Sequence, residues 1–225
     1  MSRYAFVLIV LLASSSLSYG VERVTLIGDS TTQCWGSGID PAVVARGALR
    51  YAPKGSRYRR AVVDNFGLGA TSSYSWAVQN AYCIPGWHEL GFPLMRECLR
   101  DPLAPTVQYI HPRYTTAIVQ LGINDLLTYD AFGLTIEDTI ANLAELERYW
   151  KETRGEDAVI LFIAPHHIDE SRPPLVEHRQ NLVDAIEYDH EYENVPKVSD
   201  GVHLTQKACA LVGAEIANLL WDIPR

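Results

Sequence analysis

Four short apolar runs, each stopped by a turn-forming segment, constrain this chain more than any other feature. Val24-Thr25-Leu26-Ile27 stops at Gly28, and Ala61-Val62-Val63 stops at Asp64-Asn65-Phe66-Gly67. Residues 116–121 stop at Gly122, and residues 158–163 stop at Ala164-Pro165. The runs are almost continuously apolar instead of alternating, as expected of parallel strands covered by helices on both faces. Longer amphipathic stretches follow. Residues 135–151 place Ile136, Ile140, Leu143, Leu146 and Trp150 at helical spacing, and residues 205–221 do the same with Ala208, Leu211, Val212, Ile216 and Leu219. Residues 175–188 form a third such stretch. Strand–helix alternation with right-handed crossovers predicts a three-layer α/β/α domain. A length of 225 residues suits one such domain, and no linker divides it. Residues 72–114 contain Pro85, Pro93, Pro102, Pro105 and Pro112 and read as an irregular, helix-containing insertion.

The first twenty residues are of another kind. Arg3 precedes the apolar residues 4–13, and small polar residues follow up to Gly20. That run is well short of the roughly 20 apolar residues a membrane-spanning helix needs. The order basic, apolar, small predicts a secretory signal over residues 1–20, cleaved after Gly20 or alternatively after Ser18, and a domain over residues 21–225. The expectation is a secreted or otherwise extracytoplasmic protein with no stable membrane span. Export makes the four cysteines candidates for two disulfides out of three possible pairings. Cys83 and Cys98 share the proline-rich insertion and are the first pair expected, with Cys34 and Cys209 left over. Four buried free thiols are the alternative. No Cys-x-x-Cys pair points to zinc. The formal charge of −8 argues against a nucleic-acid partner, because phosphate backbones are bound by clustered Lys and Arg.

In open parallel sheets, ligands bind beyond the carboxyl ends of the strands. Four polar clusters fall there. They are Gly28-Asp29-Ser30-Thr31, the glycine turn from Asn65 through Gly67 and Gly69 to Thr71, Gly122-Ile123-Asn124-Asp125, and the turn from Ala164 through His166 and His167 to Asp169. Ser30 would lie near a helix N-terminus, where developing negative charge is favoured. A fifth cluster, Asp200-Gly201-Val202-His203, precedes the last helix. Its three-residue spacing lets a carboxylate reach the imidazole of the same turn and fix its tautomer.

Taken together, Gly28-Asp29-Ser30, Gly69, Gly122-x-Asn124-Asp125 and Asp200-x-x-His203 resemble the blocks of the SGNH, or GDSL-type, hydrolase family, over nearly all of the chain after residue 23. The resemblance implies a flavodoxin-like sheet of five parallel strands flanked by helices and ester hydrolysis without a cofactor or metal. It implies Ser30 as nucleophile, His203 as general base and Asp200 as its partner. The Ser30 N–H, the Gly69 N–H and the Asn124 amide would form the oxyanion hole. The sequence departs from the family in its glycine block, one residue shorter than Asn-x-Gly-x-x-Gly, which leaves Gly67 as the alternative donor. It departs again at Thr31, where leucine is frequent. Some members that deacetylate polysaccharides carry threonine there.

The implied reaction is attack by Ser30 on an ester carbonyl, an acyl-enzyme, and its hydrolysis by water activated by His203. An unperturbed histidine titrates near 6.5, so activity is expected to rise through neutral pH. Trp35, Tyr74 and Trp76 follow two of the site turns and could stack on a sugar ring, and His166 could touch the substrate. Adjacent His166 and His167 are poorly placed to share a metal ion, and Arg113 and Arg172 read as solvated. The expected substrate is a small-molecule or carbohydrate ester, with acetyl groups on carbohydrate favoured. A lipid or arylester hydrolase, a glycan O-acyltransferase using the same acyl-enzyme, and a catalytically silent binding protein are the alternatives. Acyl length, alcohol and oligomeric state are open from sequence.

Overall fold

The computed structural model describes residues 21–34, 36–69, 71–76, 107, 110–126, 135–192 and 195–223. Its sheet contains β1 (Arg23–Gly28), β2 (Val62–Asn65), β3 (Thr116–Gln120) and β4 (Val159–Ile163), all parallel, in the order β2-β1-β3-β4. The helices are α1 (Pro41–Leu49), α2 (Ser73–Trp76), α3 (Ile136–Arg154), α4 (Pro173–Ala185) and α5 (Gln206–Asp222). Alternate residues of the strands serve the two faces. Val24, Leu26 and Ile118 pack with Ala42, Ala45 and Leu49 of α1 and Ala208, Val212 and Ile216 of α5. Ile27, Ala117 and Val119 pack with Leu143, Leu146 and Trp150 of α3 on the other side. This is the expected three-layer arrangement.

The described sheet has four strands where five were expected. The fifth position, beside β4, is taken by extended chain that makes a single parallel bridge, Ile163 to His190. Asp189 N–H donates to Phe162 O and Ala164 N–H to His190 O, both at 2.9 Å. At this sheet edge the polar segment Glu187-Tyr188-Asp189-His190-Glu191 has little strand propensity, in keeping with one bridge among the described residues.

Local chemistry sets the helix starts. Thr135 and Asp138 form a reciprocal capping box on α3, whose first turn carries Glu137 and Asp138 and whose last carries Lys151 and Arg154. Thr205 Oγ1 accepts from Ala208 N–H at 3.2 Å and starts α5 two residues after His203. The remaining helix on that face, α1, begins at Asp40-Pro41, with the Asp40 carboxylate accepting from Ala42 N–H at 2.9 Å. Buried Cys34 and Cys209 form a disulfide, the pair left over when Cys83 is assigned to Cys98, which both lie outside the described residues. No helix among the described residues is long and apolar enough to cross a membrane.

Candidate active site

Beyond β1 the chain turns immediately. A side chain at position 28 would clash, since a Cβ there would lie 1.9 Å from Thr32 Oγ1 and 2.5 Å from Gln120 O. Asp29 points inward and is fully buried, its Oδ1 accepting from Thr31 N–H at 2.8 Å and Thr31 Oγ1 at 2.7 Å. Burial raises the Asp29 carboxyl to about 6, against the opposing effect of the Thr31 bonds. Thr31 is itself buried, so its hydroxyl serves Asp29 instead of a ligand. Ser30 lies partly exposed in an irregular turn and not at a regular helix N-terminus, as had been expected. One helical bond forms, Gln33 N–H to Asp29 O at 2.9 Å, before Cys34 takes a left-handed φ of 53°. The next regular helix starts only at Pro41.

The imidazole that meets Ser30 comes from 173 residues downstream. His203 Nε2 lies 2.9 Å from Ser30 Oγ, and His203 Nδ1 lies 2.6 Å from Asp200 Oδ2. The carboxylate only accepts, so Nδ1 carries the proton and Nε2 accepts from the serine hydroxyl. Gly201, at φ 73°, makes the bend that returns Asp200 toward His203. Asp200 Oδ1 also accepts from Val202 N–H at 2.8 Å and His203 N–H at 2.9 Å. Burial works against the Asp200 charge, but these three bonds outweigh it and hold the carboxyl at about 2. An open pocket of about 320 Å³ adjoins His203 and Asp200, walled by Gly36, Ser37, Val198, Leu204, Thr205 and Gln206.

The turns beyond β2 and β3 are tied to each other. Asn124 is buried, and its amide donates to Thr71 O at 2.6 Å. Next to it, buried Asp125 accepts from Ser73 N–H at 2.9 Å, from Ser73 Oγ, and from Thr139 Oγ1 of α3 at 3.2 Å. Asn142 Nδ2 donates to Ser73 Oγ at 3.1 Å. Burial pushes the Asp125 carboxyl upward, opposed chiefly by the Ser73 bonds. Sequence reasoning gave Asp125, Ser73, Thr139 and Asn142 no role. The signal that could have found them is Thr139-x-x-Asn142, one polar stripe on an otherwise amphipathic helix. Gly67 N–H donates to Asn65 Oδ1 at 2.9 Å, and a Cβ at Gly67 would lie 2.7 Å from Gln33 N. Gly67 is therefore a packing glycine with its donor engaged, and Gly69 lies part-buried two residues on.

The expected substrate contacts are placed differently. Trp35 lies outside the described residues. Tyr74 is part-buried on α2. Trp76 is core, its Nε1 donating to Thr71 Oγ1 at 3.0 Å. His166 is fully buried against Val202 O and offers no surface to a ligand. Arg113 stacks on Tyr114 at 5.6 Å. Among the described residues no three His, Cys, Asp or Glu are grouped to hold a metal ion.

No family model matches the sequence, and no curated protein does. Solved structures do match. A candidate arylesterase from Agrobacterium tumefaciens is 20% identical with a TM-score of 0.53, over 91% of this chain and 100% of that one. A candidate GDSL-like lipase from Parabacteroides merdae is 15% identical with a TM-score of 0.52, over 89% and 99%. The chain has the fold of the GDSL-type hydrolases. A third match is a catalytic serine-to-alanine mutant of an acetylxylan esterase from Geobacillus stearothermophilus, 15% identical, with a TM-score of 0.52 over 91% and 97%. On this GDSL-type fold, Ser30, Asn124 and the turn after β2 all follow the carboxyl ends of neighbouring strands.

Proposed function

We propose that this chain is an exported serine ester hydrolase that removes small acyl groups, acetyl foremost, from carbohydrate esters. The observation that carries the reading is the unbroken line of contacts from Asp200 Oδ2 through His203 to Ser30 Oγ, assembled from opposite ends of the chain. Two turns of unrelated sequence acquire that geometry where nucleophile, base and orienting group are needed.

Ser30 Oγ attacks the ester carbonyl as His203 Nε2 takes its proton. The negative charge formed on the carbonyl oxygen is held by the Ser30 and Gly69 N–H groups and by the Asn124 amide. Support for Gly69 comes from Gly67, whose N–H is already engaged. Support for Asn124 comes from its burial and from the bond to Thr71 that fixes its amide plane. Collapse breaks the ester C–O bond, His203 returns the proton to the leaving alcohol, and an acyl-serine remains. Water, deprotonated by His203, then releases the acid and restores Ser30. Export is supported by the Cys34–Cys209 bond, since structural disulfides persist in oxidising compartments. The acetyl and carbohydrate parts of the reading draw on the acetylxylan esterase among the fold relatives.

Hydrolysis of p-nitrophenyl acetate, butyrate and octanoate, with Ser30→Ala as control, tests this reading. Acetate cleaved fastest, with no activity in Ser30→Ala, is the expected result, to be followed by acetate release from acetylated xylan. Rates rising toward octanoate reassign the substrate to lipid esters. Transfer of acetyl to an added sugar in preference to water reassigns the enzyme as a transferase. Activity surviving in Ser30→Ala overturns the mechanism.

A further inference from the structure

One buried residue bonded to the turn that carries the general base has no place in the chemistry above. His166 leaves the turn after β4 with its ring fully buried and its Nε2 2.5 Å from Val202 O. A carbonyl oxygen only accepts, so Nε2 carries the proton. Burial lowers the ring's pKa to about 3, and His166 stays a neutral donor throughout the neutral range.

The oxygen it holds belongs to the peptide unit joining Val202 to His203. The N–H end of the same unit, on His203, donates to Asp200 Oδ1 at 2.9 Å. One peptide plane is thus gripped at both ends, and a peptide plane can rotate only if one grip lets go. Its orientation sets the backbone angle at His203 and with it the direction of the imidazole toward Ser30. The His166 side is itself braced, because buried Arg179 of α4 donates through Nε to Pro165 O at 2.8 Å and pairs with Glu191. Asp169 N–H adds a bond to Gly201 O at 3.2 Å.

We propose that His166 is a positioning residue for His203, setting the plane of the Val202–His203 peptide so that Nε2 meets Ser30. This rests on the reading of Ser30, His203 and Asp200 as the reacting groups. His166→Phe keeps a buried ring and removes the donor, whereas His166→Gln can return an N–H to Val202 O. On p-nitrophenyl acetate, His166→Phe is expected to lower kcat about 10- to 100-fold, the range that small misplacements of catalytic groups produce, with KM nearly unchanged. His166→Gln is expected to restore most of the rate. A purely structural role would lower Tm equally in both variants and leave the kcat of the folded fraction intact.

A second readout does not depend on catalysis. The downfield proton resonance of the His203–Asp200 bond, assigned by its loss in Asp200→Asn, should be sharp in wild type and His166→Gln and broadened or lost in His166→Phe. Unchanged kcat and resonance in His166→Phe overturns the proposal, as does a His166→Gln variant as slow as His166→Phe. Should phenylalanine prevent folding, His166→Asn, whose amide is too short to reach Val202, takes its place with the same expectations. If wild type cleaves none of the esters, the hydrolase reading fails and the resonance alone decides the positioning role.

Discussion

Asp29 illustrates how much a single residue beside the site can cost. Its carboxyl titrates near 6 in the folded chain against 3.8 when unfolded, so the folded state binds the proton more tightly. Stability is therefore unpenalised below about pH 4 and declines as pH rises through 6, by roughly 3 kcal/mol for such a shift. Asparagine keeps the acceptor for both Thr31 bonds without the charge. Asp29→Asn is thus expected to raise Tm at pH 8 and to flatten its fall between pH 4 and 7, as read by thermal denaturation across pH. In the proposed oxyanion hole, Asn124→Ala should lower kcat by about 10²–10³, with KM little changed, in the ester assay. The candidate nucleophile, base and partner were legible because Gly-Asp-Ser and Asp-x-x-His are compact blocks whose spacing reflects local turns. Asp125 and its ring of Ser73, Thr139 and Asn142 were not legible as a unit. Their contacts depend on α3 docking over the sheet, and Thr139 and Asn142 look like outward residues until that happens.

Among the elements, α1 escaped the sequence reading. Its nine residues include three alanines, which favour helix, but the segment is short, and with two valines, a glycine and a single charged residue it shows no apolar–polar periodicity. Asp40-Pro41, a cap followed by proline, was the mark to look for. What secures it is tertiary, namely contact with α5 at Gly213, where a Cβ would lie 2.6 Å from both Pro41 O and Val44 Cβ. A helical Gly→Ala change gains up to about 1 kcal/mol of propensity, but overpacking against backbone and a β-branched carbon costs about 1–3. Gly213→Ala should therefore lower Tm by several degrees in a melting experiment. The long helices were read in nearly the right place but slightly misrotated. Ile140 and Leu211, assigned to apolar faces, are 37% and 42% exposed, while Thr139 and Gly213 face inward. Periodicity reports where apolar residues are, and docking decides which face is covered.

For the molecule as a whole, the Cys34–Cys209 bond joins positions 175 residues apart. Closing so long a loop restricts the unfolded chain, and a contribution of about 2–5 kcal/mol is typical. The bond also links the turn bearing Ser30 to the first turn of the helix that follows His203. Cys34→Ser/Cys209→Ser should lower Tm and should reduce ester hydrolysis at temperatures where it remains folded. Because both sulfurs are buried, mild reductant should act on the native protein much more slowly than on the unfolded one, as thiol titration over time would record.

The distance in sequence between Ser30 and His203 has a consequence for how the molecule comes into being. A ribosome delivers the serine 173 residues before the histidine, and a chain threaded through a membrane N-terminus first brings them out in the same order. Throughout that interval the candidate nucleophile has no candidate base beside it. On the proposed mechanism, hydrolytic capacity waits until the helix after His203 settles against α1, so a chain clipped between the two residues is a harmless one.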